Sequence, residues 1–198
     1  SSNTALGYAS LGANTTGSGN VAAGRNALLV NTTGGENTAI GNAALDANTT
    51  ASDNTAIGSN ALGANTTGTS NVAVGATALY ANTTASSNTA VGRNAMVANT
   101  TGTQNVAMGH TALDAATTVN NNVAIGYEAL TNSTIGDNTA VGASAMAANT
   151  TGTYNTAVGK SAMNADTTGA NNVAVGAFAL LTNTTGAHNT AIGKDALY

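Results

Sequence analysis

The chain has 198 residues, of which 6% are charged and 3% aromatic, and it contains no Pro, Cys or Trp. A formal net charge of −4 with only four Lys and Arg residues excludes the basic surface that nucleic acid or an anionic membrane surface requires. No Ser/His/Asp set or metal cluster can be assembled from the sequence, so we expect neither an enzyme nor a cofactor. No apolar run is long enough to insert into a membrane.

A repeat of 17 residues accounts for the chain from Asn3 to Tyr198. Its twelve copies, the last incomplete, follow N-[TV]-A-[IVLM]-G-x-x-A-[LM]-x-A-N-T-T-[GA]-x-x, and these positions are numbered 1 to 17 below. The copies begin at Asn3, Asn20, Asn37, Asn54, Asn71, Asn88, Asn105, Asn122, Asn138, Asn155, Asn172 and Asn189. No linker interrupts the repeat, so we predict one continuous array over residues 1–198, uncapped at both ends, as a fibre segment or an end-to-end stacking unit.

Positions 2 to 4 of each repeat predict a short β-strand, because they combine alternation with β-branched residues. The repeat is too short for helical hairpins, and Gly and Asn-Thr-Thr interrupt any helix. We therefore predict an all-β fold, a parallel β-solenoid of about twelve coils. Coils stacked about 4.8 Å apart would form a rod of roughly 57 Å.

The alternation of side chains predicts the faces of this strand. Position 4 is a large aliphatic residue in every repeat except at Ala23, and position 9 is always Leu or Met. Both are predicted to point inward, which would turn the invariant alanine of position 3 outward, onto another chain. This predicts an oligomer interface at Ala5, Ala22, Ala39, Ala56, Ala73, Ala90, Ala107, Ala124, Ala140, Ala157, Ala174 and Ala191. The alternative is that a tight bend turns an alanine column inward.

The remaining constant positions predict corners and polar ladders. Gly at position 5 occurs in every repeat, which indicates a corner with positive φ or a close backbone approach. Asn at position 1 is equally constant and can form an amide ladder along the rod. Asn-Thr-Thr at positions 12 to 14 indicates a turn whose hydroxyls satisfy backbone groups, although Ala116 and Asp166 replace the Asn.

Asn-x-Thr/Ser is also the acceptor pattern for N-glycosylation. It predicts possible sugar attachment in a line along one edge, unless the pattern serves only the turn. The nine matching residues are Asn14, Asn31, Asn48, Asn65, Asn82, Asn99, Asn132, Asn149 and Asn183.

The charged residues and histidines predict no catalytic or metal site. Every Lys and Arg stands at position 6, a stripe that predicts a solubilising face or, alternatively, a site for an acidic glycan; its members are Arg25, Arg93, Lys160 and Lys194. Glu36 and Asp53 share position 17 on adjacent coils, but the pattern of calcium-binding rolls is missing. His110 and His188 lie in different columns.

Repeat eight, "NVAIGYEALTNSTIGD" from Asn122 to Asp137, lacks one residue. We place the deletion near position 10 or 11 and expect a loop to absorb it. The adjacent threonines of positions 13 and 14 would point to opposite faces of a strand. A flat threonine array of the kind that binds ice needs T-x-T instead, on one face.

The stretch "NTAIGSNAL", from Asn54 to Leu62, resembles the head repeats of trimeric autotransporter adhesins, which carry an S-V-A-I-G-x-x-A type unit. The longer form with "ANTTG" is similar to arrays in phage and bacterial tail-fibre proteins, and the resemblance covers Asn3 to Tyr198. It implies a left-handed parallel β-roll, three chains side by side as a homotrimer, and an extracellular location on a cell surface or a virion. Head repeats are shorter than this one and lack "NTT".

These observations predict a structural extracellular fibre segment, either a tail-fibre shaft or an adhesin head, that works by rigid coil stacking and surface attachment. Its expected partners are copies of itself, as a homotrimer or an end-to-end filament, and surface glycans. The alternatives are a glycosylated self-assembling filament and an ice-binding solenoid.

Overall fold

The computed structural model describes residues 2–198, which form an all-β parallel solenoid with no helix in that range. Each coil contributes one three-residue strand, and all twelve strands pair in parallel, in chain order, in a single sheet. The strands β1 to β12 are Thr4–Leu6, Val21–Ala23, Thr38–Ile40, Thr55–Ile57, Val72–Val74, Thr89–Val91, Val106–Met108, Val123–Ile125, Thr139–Val141, Thr156–Val158, Val173–Val175 and Thr190–Ile192. The predicted solenoid of 17-residue coils is confirmed.

Stacking is in register on every side of the coil. In the sheet, Thr38 pairs with Thr55 and Ile40 with Ile57, so each residue faces its own equivalent in the next repeat. Outside the sheet, the Leu45 N–H donates to the Ala61 carbonyl at 3.1 Å. Because hydrogen bonds join neighbouring coils on several sides, adjacent coils are expected to stabilise one another cooperatively.

The interior is narrow and holds one large residue per coil. Ala39, Ala44 and Leu45, at positions 3, 8 and 9, are completely buried and belong to one apolar cluster. The prediction for position 9 is confirmed, but the prediction for the strand is wrong. Ile40, at position 4, is 41% exposed and points outward with Thr38. A coil that closes in 17 residues has space for one column of Leu or Met, so the strand that faces it must present the small methyl group of alanine.

The alanines of position 3 therefore cannot form an oligomer interface, because their side chains lie inside the solenoid of their own chain. They are Ala5, Ala22, Ala39, Ala56, Ala73, Ala90, Ala107, Ala124, Ala140, Ala157, Ala174 and Ala191. Ten of the twelve are 0% exposed in the single chain, and Ala191 is 2% exposed. Ala5 is exposed because it lies in the terminal coil.

Left-handed backbone conformations bend each coil into shape. The glycines of position 5 have φ between 124° and 140°, which confirms the predicted corner. Position 9 also has a positive φ in every coil, 52° at Leu45 for example, although its residue is always Leu or Met. This conformation costs roughly 1–2 kcal/mol for an L-residue, and burial of the side chain offsets that cost.

Candidate functional site

Asparagine side chains at position 1 form the predicted amide ladder. The Asn54 backbone N–H donates to Asn37 Oδ1 at 3.0 Å, and Asn54 Nδ2 donates to the Gly68 carbonyl at 2.8 Å. The first bond joins two neighbouring coils, and the second closes the coil on itself across 14 residues. Asn37 and Asn54 are both fully buried, so each bond is made away from competing water.

A second asparagine ladder runs beside the first at position 12. Asn65 Nδ2 donates to Asn48 Oδ1 and to the Gly68 carbonyl, each at 3.0 Å. The carbonyl of position 15 therefore accepts from both ladders and ties them together. The first threonine of the turn adds another link, because Thr66 Oγ1 donates to the Thr83 carbonyl at 3.1 Å. This confirms that hydroxyls of the turn satisfy backbone groups.

The second ladder contradicts the predicted line of sugars. Of the nine acceptor asparagines, six are 0% exposed: Asn31, Asn48, Asn65, Asn82, Asn99 and Asn149. Their amide groups make hydrogen bonds inside the solenoid, so a folded coil has no space for a glycan there. Asn14 and Asn183 are half-buried in coils near the ends, and Asn132 is exposed.

Asn132 is exposed because the deletion in the eighth coil lies elsewhere than predicted. The Ser133 N–H donates to the Leu130 carbonyl at 3.2 Å, which is the bond that position 12 makes in other coils, and Thr134 takes position 13. Asn122 Nδ2 donates to the Ile135 carbonyl at 3.0 Å, as position 1 does to position 15. The missing residue is therefore the second threonine, at position 14, and Asn132 occupies position 11.

The amide-to-amide bonds of the second ladder end at coil 6, and Asn149 and Asn183 of later coils bond only to Gly152 and Gly186 of their own turns. Ala116 and Ser133 replace its asparagine in coils 7 and 8, and Asp166 replaces it in coil 10. Asn99 Oδ1 and Asp166 Oδ2 are buried without a hydrogen-bond partner among the described residues. Asn99 lies in the coil before Ala116, which has no amide to donate.

Substitution of Asp166 is expected to change how stability depends on pH. Burial raises the pKa of its carboxyl above the ordinary 3.8, although hydrogen bonds from Gly169, Asn172 and Thr168 oppose that shift. The folded chain thus holds the proton more tightly than the unfolded chain, and stability falls as pH rises from about 4 through the folded pKa. Asp166→Asn removes the titrating carboxyl and should flatten this decline, as measured by denaturant unfolding from pH 4 to 8. The control is Asp53→Asn, the same substitution at an exposed carboxyl. The prediction would be contradicted if the free energy of unfolding depended on pH no more steeply in the parent than in Asp166→Asn.

The outward face of the sheet is the largest surface that the sequence did not predict. Positions 2 and 4 point outward along all twelve strands and carry only Thr, Val, Ile, Leu, Met and one Ala. Ile40, Ile57, Met108, Val158 and Val175 are among its exposed members. One signal in the sequence could have revealed it: position 3 never varies, whereas position 4 exchanges five aliphatic residues. A position packed in a narrow core tolerates less change in volume than an outward one.

Apart from the buried Asp166, the charged residues are dispersed over the partly or fully exposed outside of the coils. The position 6 stripe is exposed at Arg25, Arg93, Lys160 and Lys194. Lys194 pairs with Asp195 at 3.4 Å, and Lys160 lies 5.7 Å from the centre of the Phe178 ring. His110 stacks on Tyr127 with ring centres 5.7 Å apart. Within residues 2–198, no group of three His, Cys, Asp or Glu side chains could hold a metal ion.

Comparison with known proteins identifies no relative, since no family model, curated protein or solved structure matches the chain. Across residues 2–198, no helix has the length and hydropathy that crossing a membrane would require.

Proposed function

We propose that the chain is a structural segment of an extracellular fibre, in which copies associate side by side as a homotrimer through the outward face of the sheet. The observation that carries this proposal is the uncharged, largely aliphatic character of that face over all twelve strands. Water-exposed Ile and Val columns are costly for an isolated chain, and association would bury them.

The size of the face supports an interface. Twelve strands spaced about 4.8 Å apart extend over roughly 53 Å, and three residues across give a width of roughly 10 Å. The resulting strip, on the order of 500 Å², matches the upper part of the range for the largest apolar patch on a monomer, about 300–600 Å². Patches of that size commonly mark contacts with other molecules.

The interior supports a mechanical role. The asparagine ladder of position 1 and in-register backbone bonds connect each coil to the next, and the second ladder adds bonds between coils 1 to 6. A force along the rod would have to break several of these bonds between two adjacent coils at once. This resistance is the property that a stiff spacer needs. The left-handed coil and the number three rest on the resemblance to adhesin heads and tail fibres.

Ice binding is the second candidate function, because one observation favours it. Thr67 and Thr69, at positions 14 and 16, flank the buried Gly68, so both side chains lie on the outer side. Coils 3 to 6 repeat this T-x-[ST] arrangement. Positions 14 and 16 therefore supply the T-x-T spacing that the adjacent threonines of positions 13 and 14 lack. Ser52 and Ser86 use their hydroxyls to accept backbone N–H groups of the preceding coil, which leaves fewer hydroxyls for ice.

The mass of the native particle, measured by light scattering, tests the proposal. For the parent chain we expect a particle mass of three times 19.0 kDa. The double variant Ile57→Lys, Val91→Lys should be monomeric, because it places two charges on the outward face. Ser59→Lys, at the exposed position 6, is the matched control and should remain trimeric.

Two results would contradict the proposal: a monomeric parent at micromolar concentration, or a double variant that keeps the parent's mass. A monomeric parent that also depresses the freezing point of water below its melting point would favour ice binding instead.

A further inference from the structure

The one-residue deletion in coil 8 opens a cavity on the side of the rod. Its volume is about 280 Å³, and residues 118–121 of coil 7 and 134–137 of coil 8 line it. The missing threonine would otherwise stand between Thr134 and Ile135. The shortened turn therefore produces a notch in a surface that is regular in neighbouring coils.

The two coils that border the notch depart from the repeat together. Position 15 is Gly or Ala in the other complete coils, but it is Val119 in coil 7 and Ile135 in coil 8. Val119 is 6% exposed and Ile135 is half-buried, so these two side chains give a mainly polar notch a small apolar part. Ala116 and Ser133 replace the ladder asparagine in these same two coils. Concerted changes at one edge indicate a feature distinct from simple coil stacking.

The rim of the notch carries hydrogen-bonding groups. Asn121 Nδ2 donates to Asp137 Oδ1 at 3.0 Å, which fixes the carboxylate and leaves its second oxygen as an acceptor. Asn120 Oδ1 accepts from the Thr103 N–H at 2.7 Å, so its Nδ2 remains to donate to a ligand. The Asp137 backbone is held in turn by the next coil, because the Tyr154 N–H donates to the Asp137 carbonyl at 3.1 Å.

We infer that this notch binds one neutral sugar residue of a glycan. Adjacent sugar hydroxyls both donate and accept, which matches the Asp137 carboxylate and the amide groups of Asn120 and Asn121. The C–H face of a sugar ring matches the apolar side chains of Val119 and Ile135. The volume lies just below the range for drug-sized ligands, about 300–1,000 Å³, and thus suits a single ring.

The charge of the notch selects among ligands. Asp137 is an anion and no Lys or Arg lines the cavity, so an acidic sugar would be repelled. A calcium ion would need about six to eight oxygen ligands, whereas the notch offers a single carboxylate. Sugar binding by the notch is a property of the single chain. Only its biological use, as an adhesive contact on the side of a fibre, rests on the proposed function.

The test is saturation-transfer NMR of the full chain with glucose, galactose, mannose and N-acetylglucosamine as probes. We expect at least one probe to bind, and Asp137→Ala to weaken its binding by about tenfold or more. Insertion of Thr between Thr134 and Ile135 restores the 17-residue coil and should abolish binding. Asp53→Ala, the same change at position 17 of a regular coil, should leave binding unchanged.

The inference is overturned if no probe binds, or if the bound probe is insensitive to both the insertion and Asp137→Ala. Binding of calcium alone, detected by calorimetry, would also overturn it. Circular dichroism of each variant establishes that the coils remain folded. Particle mass is measured on the same samples, so failure of sugar binding is distinguishable from failure of side-by-side assembly.

Discussion

Ala90→Arg is expected to unfold the coil that contains it. Ala90 is the middle residue of β6, pairs with Ala107 of β7, and is completely buried in the narrow interior. An arginine there must either bury an unpaired charge or displace the strand. Loss of a buried partner for a charge costs about 3–5 kcal/mol, and we expect an effect of at least that size on the free energy of unfolding.

The matched control for this prediction is Ala76→Arg, an identical substitution at the exposed position 6, where Arg25 and Arg93 already stand. Thermal unfolding followed by circular dichroism measures both variants, and hydrogen exchange locates the damaged coil. If Ala90→Arg unfolded like Ala76→Arg but lost only its assembly, the alanine column would point outward after all.

Gly75→Ala is expected to have the second largest effect. Gly75 has a φ of 133°, and a Cβ atom built there would lie 2.6 Å from the carbonyl carbon and oxygen of Gly92 in the next coil. The contact is with backbone, which cannot rotate away, and the conformation is nearly restricted to glycine. Strain of this kind costs on the order of 1–3 kcal/mol, and the steric overlap adds to it.

Gly63→Ala is the control for this second prediction. A Cβ atom at Gly63 would meet the ring of Tyr80 at 3.1 Å, and this exposed side chain can move. Denaturant midpoints of the two variants should therefore differ clearly, with Gly75→Ala much lower. Equal midpoints would show that the corner tolerates a side chain and that close stacking does not require its glycine.

The two asparagine columns show how far sequence reasoning extends. Constancy of position 1 predicted that its amides stack one coil apart; in the structure each amide oxygen accepts the backbone N–H of the next asparagine, and two amides bond directly at only some steps. Asn65 and its equivalents also fit the acceptor pattern for glycosylation, and that pattern involves only three adjacent residues. Their burial depends on Asn48 and Gly68, and the partner in the neighbouring coil comes into contact only when the coils stack.

The deletion in coil 8 was misplaced for a related reason. The sequence around Asn132 resembles the usual Asn-Thr-Thr turn. This similarity led us to place Asn132 at position 12. Hydrogen bonds assign that position to Ser133 instead. Because the backbone path decides which residue closes the coil, the notch beside Asp137 could not be derived from spacing.

By itself, the sequence determined the 17-residue period, the strand at positions 2 to 4, the buried Leu or Met of position 9, the glycine corner and the first asparagine ladder. These features follow from local conformational preference and from repetition, and both can be read along the chain. Only the tertiary structure decided which side of the strand faces inward. Alternation requires that Ala39 and Ile40 point in opposite directions, but the width of the closed coil, set by Leu45 and by contacts 17 residues away, determines that the alanine is the one inside.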